Sequence, residues 1–169
     1  MGGGVVPGHG WPSATRASRL NGVGVARCDT GAVWTCPECD RKFGRTNQGH
    51  DCAPGLTVEE YFETGPEFEP PIFEAVRDFF QAEVDPDIYY EPVSVGIFFK
   101  RRTTFLSLRT MTKWVAVGFN LRRRVTSDRI SRKVIEHGDK FHHVVNVKET
   151  AEIDDQLTAW LAEAWEADA

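Results

Sequence analysis

The chain has 169 residues, 25 of them acidic and 20 basic, and a net charge of −5, which suits one ordinary domain with a small appendage and excludes two large ones. With 41% hydrophobic and 27% charged residues, 11 Phe and 5 Trp, it has the composition of a globular protein with a real core, which argues against wholesale disorder. No apolar run approaches the roughly 20 residues that cross a bilayer, and no apolar stretch follows the N-terminus, so a cytoplasmic protein without membrane segments is expected.

Charge is unevenly spread. Residues 57–91 hold 1 basic and 11 acidic side chains, 92–148 hold 13 and 3, and 149–169 hold none and 7, so a basic middle lies between acidic flanks. The first 33 residues contain 8 of the 15 glycines and no helical or strand period, which predicts a flexible Gly-rich tail over 1–33. The G-V-G-V-A run there lacks the third glycine and the preceding strand of a dinucleotide fingerprint.

The next segment, W-T-C-P-E-C-D-R-K-F-G-R-T-N-Q-G-H-D-C, is the strongest local signal. Cys36 and Cys39 have the spacing at which one tight turn aims both sulfurs at one ion, and His50 and Cys52 follow. Three thiolates and one imidazole make a closed tetrahedral shell, so a structural zinc held by Cys36, Cys39, His50 and Cys52 is expected in a zinc-finger-like module over 34–56. Such a shell leaves no position for a metal-bound nucleophile. His50 and Cys52 lie roughly 200° apart around a helix, so at least one sits on a loop or beyond a helix end, unlike the histidines of a Cys2His2 finger. A redox Cys-x-x-Cys pair calls for a strand before it and a helix after it, and these flanks offer neither. Cys28, inside the tail, is read as a free cysteine.

From Thr57 an α+β domain over 57–169 is expected. T-V-E-E is a capping box that opens a short helix, closed by Gly65 and Pro66. Pro70 and Pro71 suit the first turn of a second helix, whose Ile72, Phe73, Val76, Phe79, Phe80 and Val84 recur at three- and four-residue steps. After Asp85-Pro86-Asp87 the period becomes two, predicting one strand over 92–100, then strands around 103–110 and 114–122 in an antiparallel meander. D-R-I-S-R-K-V-I-E-H (128–137) reads as a brief helix, and 141–148 as a fourth strand. A final amphipathic helix is predicted from a Thr150 cap to about Ala167, with Ile153, Leu157, Trp160, Leu161 and Ala164 on the stripe that lies on the sheet. Helices covering one face of a mostly meander sheet make the class α+β.

Together, the cysteine segment, T-V-E-E-Y-F, G-F-N-L-R-R-R, F-H-H-V-V-N-V and E-I-D-D-Q-L-T-A-W-L-A-E-A-W resemble a bacterial family called domain of unknown function 5655, in versions with an N-terminal zinc motif. The resemblance covers about 34–169. It implies relatives fused or adjacent to restriction-type components and others labelled as transport proteins, and it carries no catalytic residues over to this chain. The transport label sits badly with the absence of any span.

No catalytic constellation emerges from the residues themselves. His142 and His143 are adjacent on a strand and point to opposite faces: His143 shares a face with Phe141, Val145 and Val147 and reads as packing, whereas His142 is a candidate anion ligand. Pro86-Asp87 lacks the acidic-x-Lys strand that a two-metal nuclease needs, since Phe98 and Asn146 precede Lys100 and Lys148 at that spacing. Trp114, Trp160 and Trp165 mark no site by themselves. The basic middle does suggest one. In an up-down-up meander, Lys100, Arg101 and Arg102 emerge at the same end of the sheet as Arg122, Arg123 and Arg124. With Arg41, Lys42 and Arg45 of the zinc module they form a candidate phosphate-binding surface. The expectation is a non-enzymatic DNA- or RNA-binding or adaptor protein. The alternative is a small-molecule or anion-binding domain with a pocket between sheet and helices, conceivably an enzyme.

Overall fold

The computed structural model describes residues 34–43, 45–47, 49, 52 and 55–169. The expected tail, Cys28 and His50 lie outside the described residues.

The capping box forms as the sequence predicts. Thr57 Oγ1 accepts from Glu60 N at 3.1 Å and Glu60 Oε2 accepts from Thr57 N at 2.8 Å, so α1 (Val58–Phe62) starts with two of its orphan donors satisfied. In α2 (Glu69–Glu83), Pro70 and Pro71 occupy the first turn, where a missing N–H breaks no helical bond. Its buried face is Ile72, Phe73, Val76 and Phe80, each contributing roughly 2 kcal/mol by leaving water.

The alternation read as one strand over 92–100 is in fact a hairpin. β3 (Tyr89–Val93) and β4 (Gly96–Lys100) pair antiparallel with Val93 opposite Gly96, leaving Ser94 and Val95 as the turn. Apolar alternation runs on through so short a turn while the chain reverses, which is why Val95 mimics a core position although it is 62% exposed. Gly96 explains the reversal: its φ is +144°, and a Cβ there would lie 2.4 Å from the Leu108 carbonyl oxygen, so only glycine lets the next strand approach. Pro92 is tolerated because β3 is an edge strand.

β5 (Thr104–Thr110), β6 (Val115–Leu121), β7 (Ile135–His137) and β8 (Lys140–Val147) complete a six-stranded antiparallel sheet of order β3-β4-β5-β6-β8-β7. The helix predicted over 128–137 is replaced by an extended segment and β7. Ser131 N donates to Val144 O at 2.8 Å, Ile130 bridges to Val145, and Ile135 pairs with His142. With β-branched Ile130, Val134 and Ile135 as its only apolar residues, this segment gains more from the free edge of β8 than from a helix whose apolar face would span little more than one turn. The last helix also starts later than predicted. Thr150 heads only a 3₁₀ turn (Thr150–Glu152), and α3 (Asp155–Glu166) is capped by Asp154, whose carboxylate accepts from Leu157 N at 3.0 Å.

Both long helices lie on one sheet face. Phe73 and Phe80 of α2 pack on Phe99 of β4, with centroids 6.2 and 5.8 Å apart, and Trp160 of α3 stacks on Phe119 of β6 at 6.0 Å. The fold is therefore α+β. By strand alternation the opposite face presents Glu91, Phe98, Lys100, Ser107, Arg109, Gly118, Asn120 and His142. A small hairpin of β1 (Trp34–Thr35) and β2 (Lys42–Phe43) packs over its β3–β4 end: Lys42 Nζ lies 4.7 Å from the Tyr89 ring and Lys100 Nζ 5.3 Å from the Phe43 ring. No helix among the described residues is long and apolar enough to cross a membrane.

Candidate metal centre and cationic groove

The Cys36-x-x-Cys39 turn joins β1 to β2. Cys36 N donates to Arg41 O and Asp40 N to Cys36 O, both at 2.9 Å, and Asp40 takes a left-handed φ of 54° to complete the reversal. The chain thereby folds Cys39 back beside Cys36, and Cys52 lies with them. The three sulfurs lie within 4.8 Å of one another, and Cys36 Sγ is 3.8 Å from Cys52 Sγ. Tetrahedral zinc with thiolates at about 2.3 Å places sulfurs about 3.8 Å apart, so these residues fit a metal ion. Local hydrogen bonding favours the thiolate at Cys36. Burial acts to raise the Cys36 pKa, yet backbone amides at Glu38 and Cys39 bring it down to about 7, while sharing a proton with Cys36 pushes Cys52 up to about 11. Donors thus point at sulfur, as they do around metal-bound thiolates.

Beside this centre, between the hairpin and the open sheet face, lies a groove of about 530 Å³. Among the described residues, Arg41, Lys42, Arg45, Lys100 and Arg102 line it with the carboxylate of Glu91, and Phe98 forms part of its lining. Glu91 is 4% exposed; it accepts from Arg41 Nε at 3.0 Å and from Lys100 Nζ at 2.6 Å. Burial alone raises a carboxyl pKa, but these two cations outweigh it and hold Glu91 below the ordinary range.

The basic residues at the other positions, together with Arg102, gather where the meander predicts, and they find partners there. Arg101 Nη1 donates to Trp165 O at 3.2 Å, Arg102 Nη1 to Ala169 O at 3.0 Å and Arg122 Nη2 to Ala167 O at 3.3 Å, so both clusters close on the C-terminal end of α3, where the helix dipole favours cations. The Arg101 guanidinium also stacks 3.6 Å from the Trp165 ring centroid. Arg122 faces Asp139 at 3.4 Å, Arg123 faces Glu163 at 2.6 Å and Arg124 faces Glu136 at 3.9 Å. Asp168, which carried no sequence signal, organises this end. Its buried carboxylate accepts from Arg102 N at 3.0 Å, Thr103 N at 2.7 Å and Lys140 Nζ at 2.8 Å.

The two histidines separate as strand alternation requires. His143 is fully buried against Phe119, and its Nε2 accepts from Val125 N at 2.9 Å, which leaves its proton on Nδ1. Burial holds its pKa below the usual value. His142 lies on the open face, with Nδ1 2.9 Å from Asn120 Oδ1, and burial followed by neighbouring positive charges lowers its pKa as well. It is not part of the groove lining. Sequence reading missed Glu91, because an acidic residue at a strand end looks solvated until the partner that buries it is known. Phe98 was seen only as an alternating position.

Residues 58–168 match the family described as a domain of unknown function (DUF5655), so the matched segment begins after the cysteine hairpin. No curated protein and no solved structure matches the chain.

Proposed function

We propose, from the premise that the chain belongs to the DUF5655 family, that it binds nucleic-acid phosphates in the groove between a zinc-holding hairpin and the open face of the family domain, without catalysing a reaction. The carrying observation is the imbalance of charge in one concave place: among the described residues, five cationic side chains stand around one carboxylate. Such a surface gives sequence-tolerant attraction to a phosphate backbone. Zinc is the metal that a thiolate-rich set selects, with His50 as fourth ligand beside Cys36, Cys39 and Cys52; bound there it supplies structure alone, holding the turn that carries Arg41 and Lys42. Lys42, Arg45 and Arg102 meet phosphate, while Arg41 and Lys100 set the groove wall through Glu91. Arg122, Arg123 and Arg124, each already facing a carboxylate, contribute less.

Fluorescence anisotropy with short DNA and RNA at low salt tests this. Binding is expected to weaken steeply with salt, and replacing Lys42, Arg45 and Arg102 by Ser to reduce the salt slope by up to about three units with the fold intact. Absence of binding tighter than about 100 μM, the weak end of non-specific affinity, removes the reading. The groove also has the size of small-ligand pockets. A small anion that co-purifies and is identified by mass spectrometry establishes that second reading instead.

A further inference from the structure

Resting on that reading, we infer that the groove opens onto a track for single-stranded nucleic acid, which runs from Phe98 to His142 across the sheet face opposite the described helices. Three observations converge on it. Phe98 lines the groove with the Arg109 guanidinium 5.5 Å from its ring centroid, so an aromatic ring and cations occur together. Strand register then places Ser107 and Gly118 in one row beside it, on the two following strands. These side chains are small, so among the described residues the row from Phe98 to what lies beyond stays low.

What lies beyond is the His142 ring, leaning over Gly118. A Cβ at Gly118 would sit 3.0 Å from His142 Cε1 and 2.8 Å from Ser107 Oγ. Any larger residue there displaces the imidazole, and the hydrogen bond to Asn120 holds the ring in place. Phe98 and Gly118 are two strand spacings apart, roughly 10 Å. The face thus offers two rings across a low floor, with the cations at one end and with the helices confined to the other side of the sheet. A duplex presents phosphates outward and keeps its bases stacked inside, so it engages the cations and leaves the rings unused. A single strand uses both, its phosphates on the groove and its bases on the rings.

The test uses the full, zinc-loaded chain and fluorescein-labelled probes, oligo-dT of about 12 nucleotides and a duplex of about the same length, within the range of single-strand site sizes. Oligo-dT is expected to bind at least about tenfold tighter than the duplex. Phe98→Ala is expected to weaken oligo-dT about tenfold while changing the duplex less than about twofold, in keeping with the loss of one stacked base. Phe98→Leu keeps the apolar volume and removes the π face, so it gives the same readout if the alanine variant fails to fold. Equal or tighter duplex binding, or oligo-dT affinity unchanged in both variants, overturns the track and leaves the groove reading standing. Binding of neither probe overturns both.

Discussion

Arg41 and Glu91 tie the cysteine hairpin to the sheet: Arg41 donates from Nε at 3.0 Å and from Nη2 at 3.3 Å to the two oxygens of a carboxylate that is almost wholly buried. Lys100 completes the joint from β4. A buried carboxylate held by two cations is costly to break from one side, because the cations stay behind without their counter-charge. Glu91→Ala is therefore expected to lower stability by about 3 kcal/mol, measured by urea unfolding, and to speed metal loss to a chelator. An unchanged chelation rate would show that the hairpin holds itself together.

Metal content gives a second prediction. The purified protein is expected to carry one equivalent of zinc by elemental analysis, and Cys39→Ser to lose it. In so small a hairpin the metal supplies much of the folding energy. NMR spectra should then show residues 34–53 melted and 57–169 folded, with affinity for nucleic acid falling as Arg41, Lys42 and Arg45 leave the groove. Retention of metal by Cys39→Ser, or its loss in Cys28→Ser, would reassign the ligands.

Stability is expected to fall with acidification in two stages. Burial lowers the His143 and His142 pKa values in the folded state, so the unfolded chain binds more protons. The stability they contribute is complete above the unfolded value of about 6.5 and declines as pH drops below it. Glu91 and Asp168 are also depressed, burial being outweighed at Asp168 by Lys140 and Thr103, and their contribution is lost below about pH 4. His143→Gln, which keeps an acceptor for Val125 N, should reduce the first stage to the share left by His142 in melting curves collected across pH and leave the second. A first stage of unchanged depth would assign it elsewhere.

The underside of the sheet rests on α3. Trp160→Ala removes the ring stacked on Phe119 beside fully buried Leu157 and Leu161, and is expected to cost about 3–5 kcal/mol through lost transfer energy and the cavity left behind. Denaturant unfolding that moves by less than about 1 kcal/mol would mean that the core closes over the gap.

Those properties that depend on nearest neighbours along the chain were legible in the sequence. The capping box at Thr57, the proline start of α2, the buried stripe through Trp160 and the opposite facing of His142 and His143 each follow from periods and caps spanning a few residues, and each is present. The cysteine spacing likewise announced a shared centre, and the three of its residues that are described converge. Tertiary structure decided what local preference leaves open. It split 92–100 at Ser94 and Val95, since strand alternation reads the same through a tight turn. It drew 128–137 onto the edge of β8 because an available strand edge outweighs a weak helical pattern. It also placed Arg41, 50 residues away in sequence, against Glu91, making a groove whose two walls come from separate segments. A long-range ion pair and the cavity beside it depend on which surfaces meet, and no period or spacing within either segment encodes that meeting.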